Sequence, residues 1–147
     1  MTLEVIVHTD GAARGNPGPA GAGAVITSTD GQVLAEIAEG IGHATNNVAE
    51  YTAAILGLER AAELGARRVT LRTDSQLLVQ QLAGRYRVKA VHLVPLWRRV
   101  RELAAGFERI RFEHVPRERN VEADRLANAG VDAWLEDRHE GRGGELR

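Results

Sequence analysis

Apolar and polar residues alternate along the first part of the chain in the manner of β-strands. The alternation predicts strands over residues 3–10, 22–28 and 33–41. The first strand is apolar on both faces, which is typical of a strand in the middle of a sheet. The glycine-rich segment that follows it contains two prolines, which exclude a helix there. The Asp30-Gly31 pair predicts a tight hairpin, so the second and third strands run antiparallel.

Apolar residues recur at helical spacing in the second part of the chain. This spacing predicts a helix over residues 48–64 with Gly65 as its left-handed cap, and then a short β-branched strand over 68–73. A strand meander followed by helix-separated strands predicts an α/β fold, with a mixed sheet and helices on both faces. The remaining predicted elements are helices over 75–82, 91–105 and 121–135 and a fifth strand over 107–115.

The composition is that of one folded domain. The chain has 147 residues, 44% of them apolar, which suffices for one hydrophobic core. Residues 136–147 carry almost no apolar side chains, so we expect a domain over 1–135 and a disordered tail after it. The absence of cysteine excludes disulfides, thiolate zinc sites and cysteine nucleophiles. No apolar run reaches the length of a membrane span, about 20 residues, and no signal-peptide pattern is present, so we expect a cytoplasmic protein.

Basic residues are concentrated in one segment, although the formal net charge is only −1. Residues 67–101 contain nine basic side chains and one acidic side chain, Asp74, which gives the segment a net charge of +8. A local positive field predicts a polyanionic partner, although a solvated basic helix face would have the same composition. The nine are Arg67, Arg68, Arg72, Arg85, Arg87, Lys89, Arg98, Arg99 and Arg101.

Four carboxylates stand where such a fold places a functional site. Asp10 and Asp74 each end a predicted strand, and open α/β sheets bind ligands at the carboxyl ends of their central strands. Glu50 and Asp124 are expected in the first turns of the two long helices. These positions favour a meeting of all four carboxylates at one edge of the sheet.

Three of these carboxylates also have a purely structural interpretation. Asp74 could cap the helix that follows it, and Asp124 would favour a helix N-terminus. Glu50 stands three residues after Asn47, which is the spacing of a capping box. Asp10 is the exception, because a lone charge at the end of an apolar strand costs several kcal/mol unless a cation accompanies it.

Converging carboxylates without thiols select a hard, oxygen-preferring metal. Mg²⁺ suits such a set best, because it is held by a few carboxylates and keeps part of its water shell, and Mn²⁺ is the alternative. Carboxylates around two ions are the arrangement for in-line displacement at phosphorus. The sequence therefore predicts a metal-dependent reaction on a phosphate.

The segments around the four carboxylates resemble the motifs of type 1 ribonuclease H. The motifs occur in the order of that family and cover roughly residues 3–135. Residues 84–91, GRYRVKAV, leave little room for the basic protrusion of the best-known bacterial members, so the chain is similar to the shorter archaeal and some other bacterial members. The four segments are DGAARGNPGPAGAG with Asp10, TNNVAEY with Glu50, TDSQLLV with Asp74 and HVPRERNVEADRLAN with Asp124.

The resemblance implies a ribonuclease H-like fold with a five-stranded mixed sheet. It also implies an endoribonuclease that cleaves the RNA strand of RNA·DNA hybrids by two-metal-ion hydrolysis and leaves 3′-hydroxyl and 5′-phosphate ends. His114 matches a histidine that assists proton movement or product release, although it could simply end the fifth strand. The residues that match the catalytic metal ligands are Asp10, Glu50, Asp74 and Asp124, of which Asp10 is expected to bridge both ions.

The resemblance also assigns residues to the recognition of the hybrid. Polar groups would contact the ribose 2′-hydroxyl across the shallow minor groove. Thr45 matches a contact to a phosphate of the DNA strand, and one of the two asparagines after it is expected to cap the first long helix as well. Asn120 is expected to be a helix cap only. The 2′-hydroxyl set is Gly15, Asn16, Asn46, Asn47 and Gln76, and the candidate phosphate contacts in the basic segment are Arg85, Arg87 and Lys89.

Two alternative functions remain open at this point. Another metal nuclease of the same superfold, such as a resolvase or a transposase-like core, would share the carboxylates but usually lacks the GNPG and TNN segments. A non-catalytic hybrid-binding module would share the polar residues but has no reason to keep four acids that face phosphates. Neither a P-loop nor a dinucleotide-binding fingerprint is present. We expect a monomer that binds RNA·DNA hybrids and requires neither a membrane nor a protein partner.

Overall fold

The computed structural model describes residues 2–145 of the chain, and the side chains of residues 2–138. A five-stranded mixed sheet lies at its centre, with the strand order β3-β2-β1-β4-β5. The first three strands form an antiparallel meander, and β4 pairs in parallel with both β1 and β5. The strands are β1 (Leu3–Ala13), β2 (Gly18–Ser28), β3 (Val33–Ala44), β4 (Ala66–Thr73) and β5 (Arg109–His114).

Helices cover both faces of the sheet, which confirms the predicted fold. One face carries α1, which packs on β1 and β2 and against α3. The opposite face carries α4, which packs on β2, β3 and β1. The helices are α1 (Asn46–Glu63), α2 (Gln76–Leu82), α3 (Val94–Ala105) and α4 (Val121–Glu145), with short 3₁₀ turns at Val91–Leu93 and Arg117–Arg119.

The hydrophobic core lies mainly between the sheet and α1. Val7 of β1, Leu71 of β4 and Leu58 of α1 are fully buried in one cluster. The alternation of β1 places Val5 and Val7 in this cluster, while the residues between them face the other side of the sheet. This packing fixes α1 against β1, and both elements carry residues of the candidate site.

The glycine-rich segment forms the end of a long hairpin. β1 continues to Ala13 and β2 begins at Gly18, whereas the sequence predicts strands that end at residue 10 and begin at residue 22. The small residues of this segment have weak strand propensity by themselves. Their pairing, with Ala13 opposite Ala20, extends the strands beyond the apolar pattern.

Asp10 therefore lies within the part of β1 that pairs with β2, but just beyond the part of β1 that pairs with β4. The parallel pairing of β1 and β4 ends where His8 stands opposite Arg72. Beyond that point the two strands separate, and Asp74 follows β4 directly. The diverging ends bring Asp10 and Asp74 to the edge at which parallel sheets bind ligands.

The last helix is longer than its apolar pattern indicates. The periodicity predicts an end at residue 135, but α4 continues to Glu145, so this prediction of the helix end was wrong. The residues after 135 lack an apolar pattern, yet several are good helix formers and none is proline, so the helix continues beyond the last apolar position of the pattern. Residues 146 and 147 of the predicted tail lie outside the described residues, and a domain limit at residue 135 stays a prediction. None of the described helices is long and apolar enough to span a membrane.

Candidate active site

Three carboxylates from three separate elements meet at one edge of the sheet. Asp10 of β1, Glu50 of α1 and Asp74 after β4 each offer an oxygen atom within 4.8 Å of the others. Asp10 is only 6% exposed, and the side chain of Asp74 is 14% exposed. Oε2 of Glu50 is buried without a hydrogen-bond partner. Among the described residues no histidine joins this cluster, so its donor atoms are all oxygen, which suits Mg²⁺ or Mn²⁺.

A glycine next to Asp10 allows Glu50 to approach it. A Cβ atom on Gly11 would overlap with the backbone of Ala49 and Glu50. The backbone of α1 therefore touches the backbone of β1 immediately after Asp10. Any side chain at this position would separate the two carboxylates, because backbone atoms cannot move aside as the end of a flexible side chain can.

Asp124 approaches the cluster from the other face of the sheet through a similar contact. Asp10 stands opposite Gly23 of β2. A Cβ atom on Gly23 would overlap with the carbonyl oxygen of Ala123 in the first turn of α4. Asp124 is exposed and stands outside the group of three, but its side chain is close enough to act on Asp10. The structure thus brings all four predicted carboxylates to one edge, with Asp10 between the two helices.

The crowding of acids raises the pKa of the two most buried carboxyl groups. Burial is the main cause for Asp10, and the charge of Asp74 and the side chain of Asp124 add to it. Burial also dominates for Glu50, followed by the charges of Asp10 and Asp74. Both pKa values rise because desolvation and like charges each disfavour the ionised form. A divalent cation among these oxygens would remove the repulsion.

The side chain of Asn120 connects the start of α4 to β1. Its Nδ2 donates a hydrogen bond of 2.9 Å to the carbonyl oxygen of Thr9. Its Oδ1 is buried without a partner, and the residue is 1% exposed. Asn120 stands at the cap position of α4, where its carbonyl oxygen accepts a hydrogen bond from the amide of Asp124, but its side chain does not cap the helix. The prediction that Asn120 is a helix cap only was therefore wrong, because its amide group holds the backbone beside Asp10. This bond joins the strand that carries Asp10 to the start of the helix that carries Asp124.

Thr45 caps α1, so the prediction that Asn46 or Asn47 is the cap was wrong. The Oγ1 of Thr45 accepts a hydrogen bond of 3.3 Å from the amide of Val48. The helix consequently begins at Asn46, and the first turn holds no acidic residue. Glu50 is therefore the fifth residue of α1, beyond the first turn in which the sequence predicted it. A capping-box role for Glu50 therefore has no support in the structure.

Asp74 does not cap a helix either, and it has a basic neighbour that the sequence analysis missed. Ser75 caps α2, because its Oγ accepts a hydrogen bond of 3.2 Å from the amide of Leu78. Nε of Arg117 lies 3.8 Å from Oδ2 of Asp74. Arg117 follows His114, the exposed last residue of β5, by three positions. The three charged residues before Asn120, at positions 117–119, indicate a charged loop. They do not indicate that Arg117 lies beside Asp74.

The end of the β1–β2 hairpin brings two of the candidate asparagines together. Gly15 has a φ of 101°, which a residue with a side chain rarely adopts. The next residue, Asn16, accepts a hydrogen bond of 3.1 Å through Oδ1 from the amide of Asn46. The peptide bond between Asn16 and Pro17 is cis. The hairpin end thus lies against the N-terminus of α1, beside the capping residue Thr45.

A second group of candidate residues surrounds a cavity of about 530 Å³. Asn47 lines it from α1, and the loop after α2 contributes most of the other side chains. Gln76 is exposed at the start of α2. The charged and aromatic members of the lining are Arg85, Tyr86, Arg87 and Lys89. The structure therefore brings the predicted phosphate contacts next to one asparagine of the 2′-hydroxyl set.

The basic segment 67–101 does not form one positive surface, contrary to the simplest interpretation of its charge. Several of its arginines form ion pairs with acidic residues that lie outside the segment. Within the described residues Arg85, Arg87 and Lys89 of the loop after α2 form no ion pair, and neither do Arg98 and Arg101 of α3, so the unneutralised positive charge lies in this loop and on α3. The paired residues are Arg67 and Arg68 with Glu108, Arg72 with Glu113, and Arg99 with Glu59 and Glu102.

The sequence is similar to that of known proteins over most of its length. Residues 8–130 match the family model described as reverse transcriptase-like. The chain is 50% identical over 132 residues to the bifunctional protein Rv2228c of Mycobacterium tuberculosis, which covers 89% of this chain and 36% of that protein. It is 48% identical over 128 residues to ribonuclease HI of Halobacterium salinarum, which covers 87% of this chain and 64% of that protein. The chain thus spans only about a third of the length of the mycobacterial relative.

The fold is also similar to solved structures. The crystal structure of RNase H1 from Halobacterium salinarum has a TM-score of 0.86 at 47% identity, and the match covers 88% of this chain and 98% of that one. The crystal structure of LC11-RNase H1 in complex with an RNA/DNA hybrid has a TM-score of 0.85 at 42% identity, covering 89% and 99%. These similarities agree with the four motifs and with the strand order of the sheet. The chain therefore belongs to the ribonuclease H family.

Proposed function

We propose that this protein is an endoribonuclease that cleaves the RNA strand of RNA·DNA hybrids and leaves 3′-hydroxyl and 5′-phosphate ends. The observation that carries the proposal is the group of three carboxylates within 4.8 Å, one of them with a buried oxygen that has no partner. Such a group is unfavourable unless cations accompany it. The LC11-RNase H1 structure, 42% identical to this chain, holds an RNA/DNA hybrid, and this supports the choice of substrate.

The donor set fits divalent metal ions, and we propose Mg²⁺, with Mn²⁺ as the alternative. When bound, two such ions supply an activated water and neutralise charge on the attacked phosphate and the leaving oxygen. Asp10 lies between Glu50 and Asp74 on one side and Asp124 on the other, so it is the best placed of the four to serve both ions. Asn120 and the two glycine contacts hold these carboxylates in position before any cation arrives.

The protein's own groups would orient the substrate and move a proton. His114 is exposed at the end of β5, where a side chain can exchange a proton with the leaving oxygen or with solvent. The hairpin end carries the Gly15 backbone and the Asn16 side chain toward α1, where Asn46 and Asn47 are exposed. These groups and Gln76 would hydrogen-bond the ribose 2′-hydroxyls, which distinguish an RNA strand from DNA.

The DNA strand would be held by phosphate contacts. The hydroxyl of Thr45 accepts the amide of Val48 and keeps its own proton available for a phosphate oxygen. Arg85, Arg87 and Lys89 line the cavity beside Asn47 and are not engaged in ion pairs among the described residues. We further propose that the protein acts in the cytoplasm as a monomer and that residues 1–135 form the catalytic domain.

The test is a cleavage assay on an RNA·DNA hybrid, double-stranded RNA and a DNA duplex side by side, with Mg²⁺ present. We expect cleavage of the hybrid alone, and Asp74→Asn should lower it by at least about a thousandfold, since positioning and charge neutralisation supply most of the catalysis of phosphoryl transfer. Asp137→Asn, which alters an exposed acid of α4 away from the cluster, serves as the matched control.

The assay also separates the alternatives. Hybrid binding without cleavage in the unaltered protein would favour the binding module. Preferred cleavage of a DNA duplex would favour another nuclease of the same superfold. Equal cleavage by the unaltered protein and Asp74→Asn would remove the carboxylate cluster from the mechanism.

A further inference from the structure

Arg14 joins the end of the β1–β2 hairpin to α4. It is the first residue after β1 and directly precedes Gly15 and Asn16. Its Nη1 lies 2.8 Å from Oδ1 of Asp132 in α4. Its Nη2 donates to the carbonyl oxygen and to Oδ1 of Asn128, each at 3.4 Å. One side chain thus spans from the hairpin end to two successive turns of the last helix.

Asn16, two residues after Arg14, attaches the same hairpin end to α1. Asn16 accepts the hydrogen bond from the amide of Asn46, and the amide of Arg14 donates to the carbonyl oxygen of Pro19 at 2.8 Å. The exposed end of the hairpin is therefore held from both sides, by Asn16 toward α1 and by Arg14 toward α4. If the contact to α4 is lost, the bond from Asn46 to Asn16 is the remaining side-chain restraint on Asn16 among the described residues.

The contact to α4 also continues toward the carboxylates. Nδ2 of Asn128 donates to the carbonyl oxygen of Asp124 at 3.0 Å and to its Oδ1 at 3.4 Å. Arg14 therefore contacts a residue that in turn contacts Asp124. The hairpin end and the first turns of α4 are connected through side chains as well as through the sheet.

From this geometry we infer that Arg14 is a positioning residue, which holds Asn16 in place for the RNA strand through its ion pair with Asp132. The inference rests on the proposed function, because Asn16 is a proposed contact to the ribose. The competing interpretation is that the half-exposed guanidinium itself binds a phosphate of the substrate. The two interpretations make opposite predictions for Asp132, because removal of this acid breaks the ion pair but leaves the positive charge of Arg14.

The test is a double-mutant cycle on hybrid cleavage with Arg14→Gln, Asp132→Asn and the double variant. If Arg14 positions the hairpin end, each single variant raises KM by about threefold to fivefold, the effect of losing an exposed ion pair, and kcat changes by less than about twofold. The double variant should then be no worse than either single one. The reversed pair Arg14→Asp with Asp132→Arg should recover part of the loss.

A direct phosphate contact gives a different result and would overturn the inference. In that case Arg14→Gln raises KM and reduces its salt dependence, whereas Asp132→Asn leaves KM unchanged or lowers it. The control pair is Arg60→Gln and Glu63→Gln, an exposed ion pair at the C-terminal end of α1, which should not alter KM. An unchanged KM in both Arg14→Gln and Asp132→Asn would also overturn the inference.

Hydrogen exchange provides a measurement that does not depend on cleavage. The amide of Asn46 donates to Asn16, so its exchange rate reports the position of the hairpin end. We expect faster exchange at Asn46 in both Arg14→Gln and Asp132→Asn, and no change in the Arg60→Gln control. Unchanged exchange contradicts the role of Arg14 even if cleavage is observed. Faster exchange in a protein that does not cleave hybrids would retain the role in the structure and reject the proposed function.

Discussion

Replacement of Asp10 by asparagine should make the metal-free protein more stable while it abolishes cleavage. Burial and the neighbouring acids raise the pKa of Asp10 to about 7, from 3.8 in a model compound. Three pKa units correspond to about 4 kcal/mol as an upper limit. Because Asp10 shares its protons with the neighbouring carboxyl groups, which can take up part of the charge change, we expect a smaller gain of about 1–2 kcal/mol in the free energy of unfolding. For a chain of this size that is about 3–6 °C in Tm.

The sign of this effect depends on pH. A carboxyl group whose pKa is higher in the folded than in the unfolded state binds protons preferentially when folded, so the free energy of unfolding falls as pH rises from about 4 to about 7. Asparagine carries no charge and avoids this loss. The gain from Asp10→Asn should therefore be complete at pH 8, partial near pH 5.5 and absent below about pH 4.

The assay is thermal unfolding of both proteins in EDTA at pH 8 and at pH 5.5, repeated with Mg²⁺ at pH 8. Mg²⁺ should stabilise the unaltered protein and have much less effect on Asp10→Asn, since binding to the folded state alone raises stability. Asp137→Asn is the control. It should not become more stable without metal, and Mg²⁺ should stabilise it as much as it stabilises the unaltered protein. A variant that is less stable at pH 8 without metal, or equally stabilised at both pH values, would refute the argument from crowded charges.

Three further predictions concern the substrate contacts and the backbone. Replacement of Arg85, Arg87 and Lys89 together by alanine should raise the KM for the hybrid. The slope of log KM against log salt concentration should fall by up to about three, measured as KM at several salt concentrations. An unchanged slope would exclude this loop from phosphate binding. Arg117→Gln should lower the Mg²⁺ concentration needed for half-maximal activity, because the guanidinium near Asp74 opposes a cation there, and an unchanged Mg²⁺ titration would contradict this. Gly11→Ala should lower the free energy of unfolding by about 1–3 kcal/mol, measured in urea, because the added methyl group overlaps with the backbone beside Glu50. It should also reduce the stabilisation by Mg²⁺. Normal stabilisation by Mg²⁺ would show that the close contact at Gly11 is not required.

The apolar pattern was sufficient to predict the sheet and most of the helices, because the buried positions of β1 and α1 follow the strand and helix periods closely. It was insufficient where neighbouring chain segments decide the structure. The hairpin end is extended by pairing between small residues, and Thr45 is the helix cap because α1 starts earlier than its first apolar residue. Local spacing cannot distinguish Thr45 from Asn47, since both are good caps.

The charges were the least predictable part of the candidate site. The sequence places Arg68 and Arg72 in a basic segment, but the acids that neutralise them come from the following strand region, about 40 residues further along. For Arg117 and Arg14 the local sequence indicates exposure but not the acid that each one meets. Such ion pairs depend on the three-dimensional arrangement of the chain. The meeting of the four carboxylates could be predicted because each stands at the end or start of a regular element.

Contacts such as those at Gly11 and Gly23 limit which parts of this protein can diverge. At core positions with aliphatic side chains, valine, isoleucine and leucine can exchange with modest repacking. At these two glycines backbone meets backbone, and no larger residue can be accommodated by adjusting a rotamer. Libraries that randomise the core should therefore yield many active, thermally robust descendants, whereas libraries that randomise positions 11 and 23 should yield almost none.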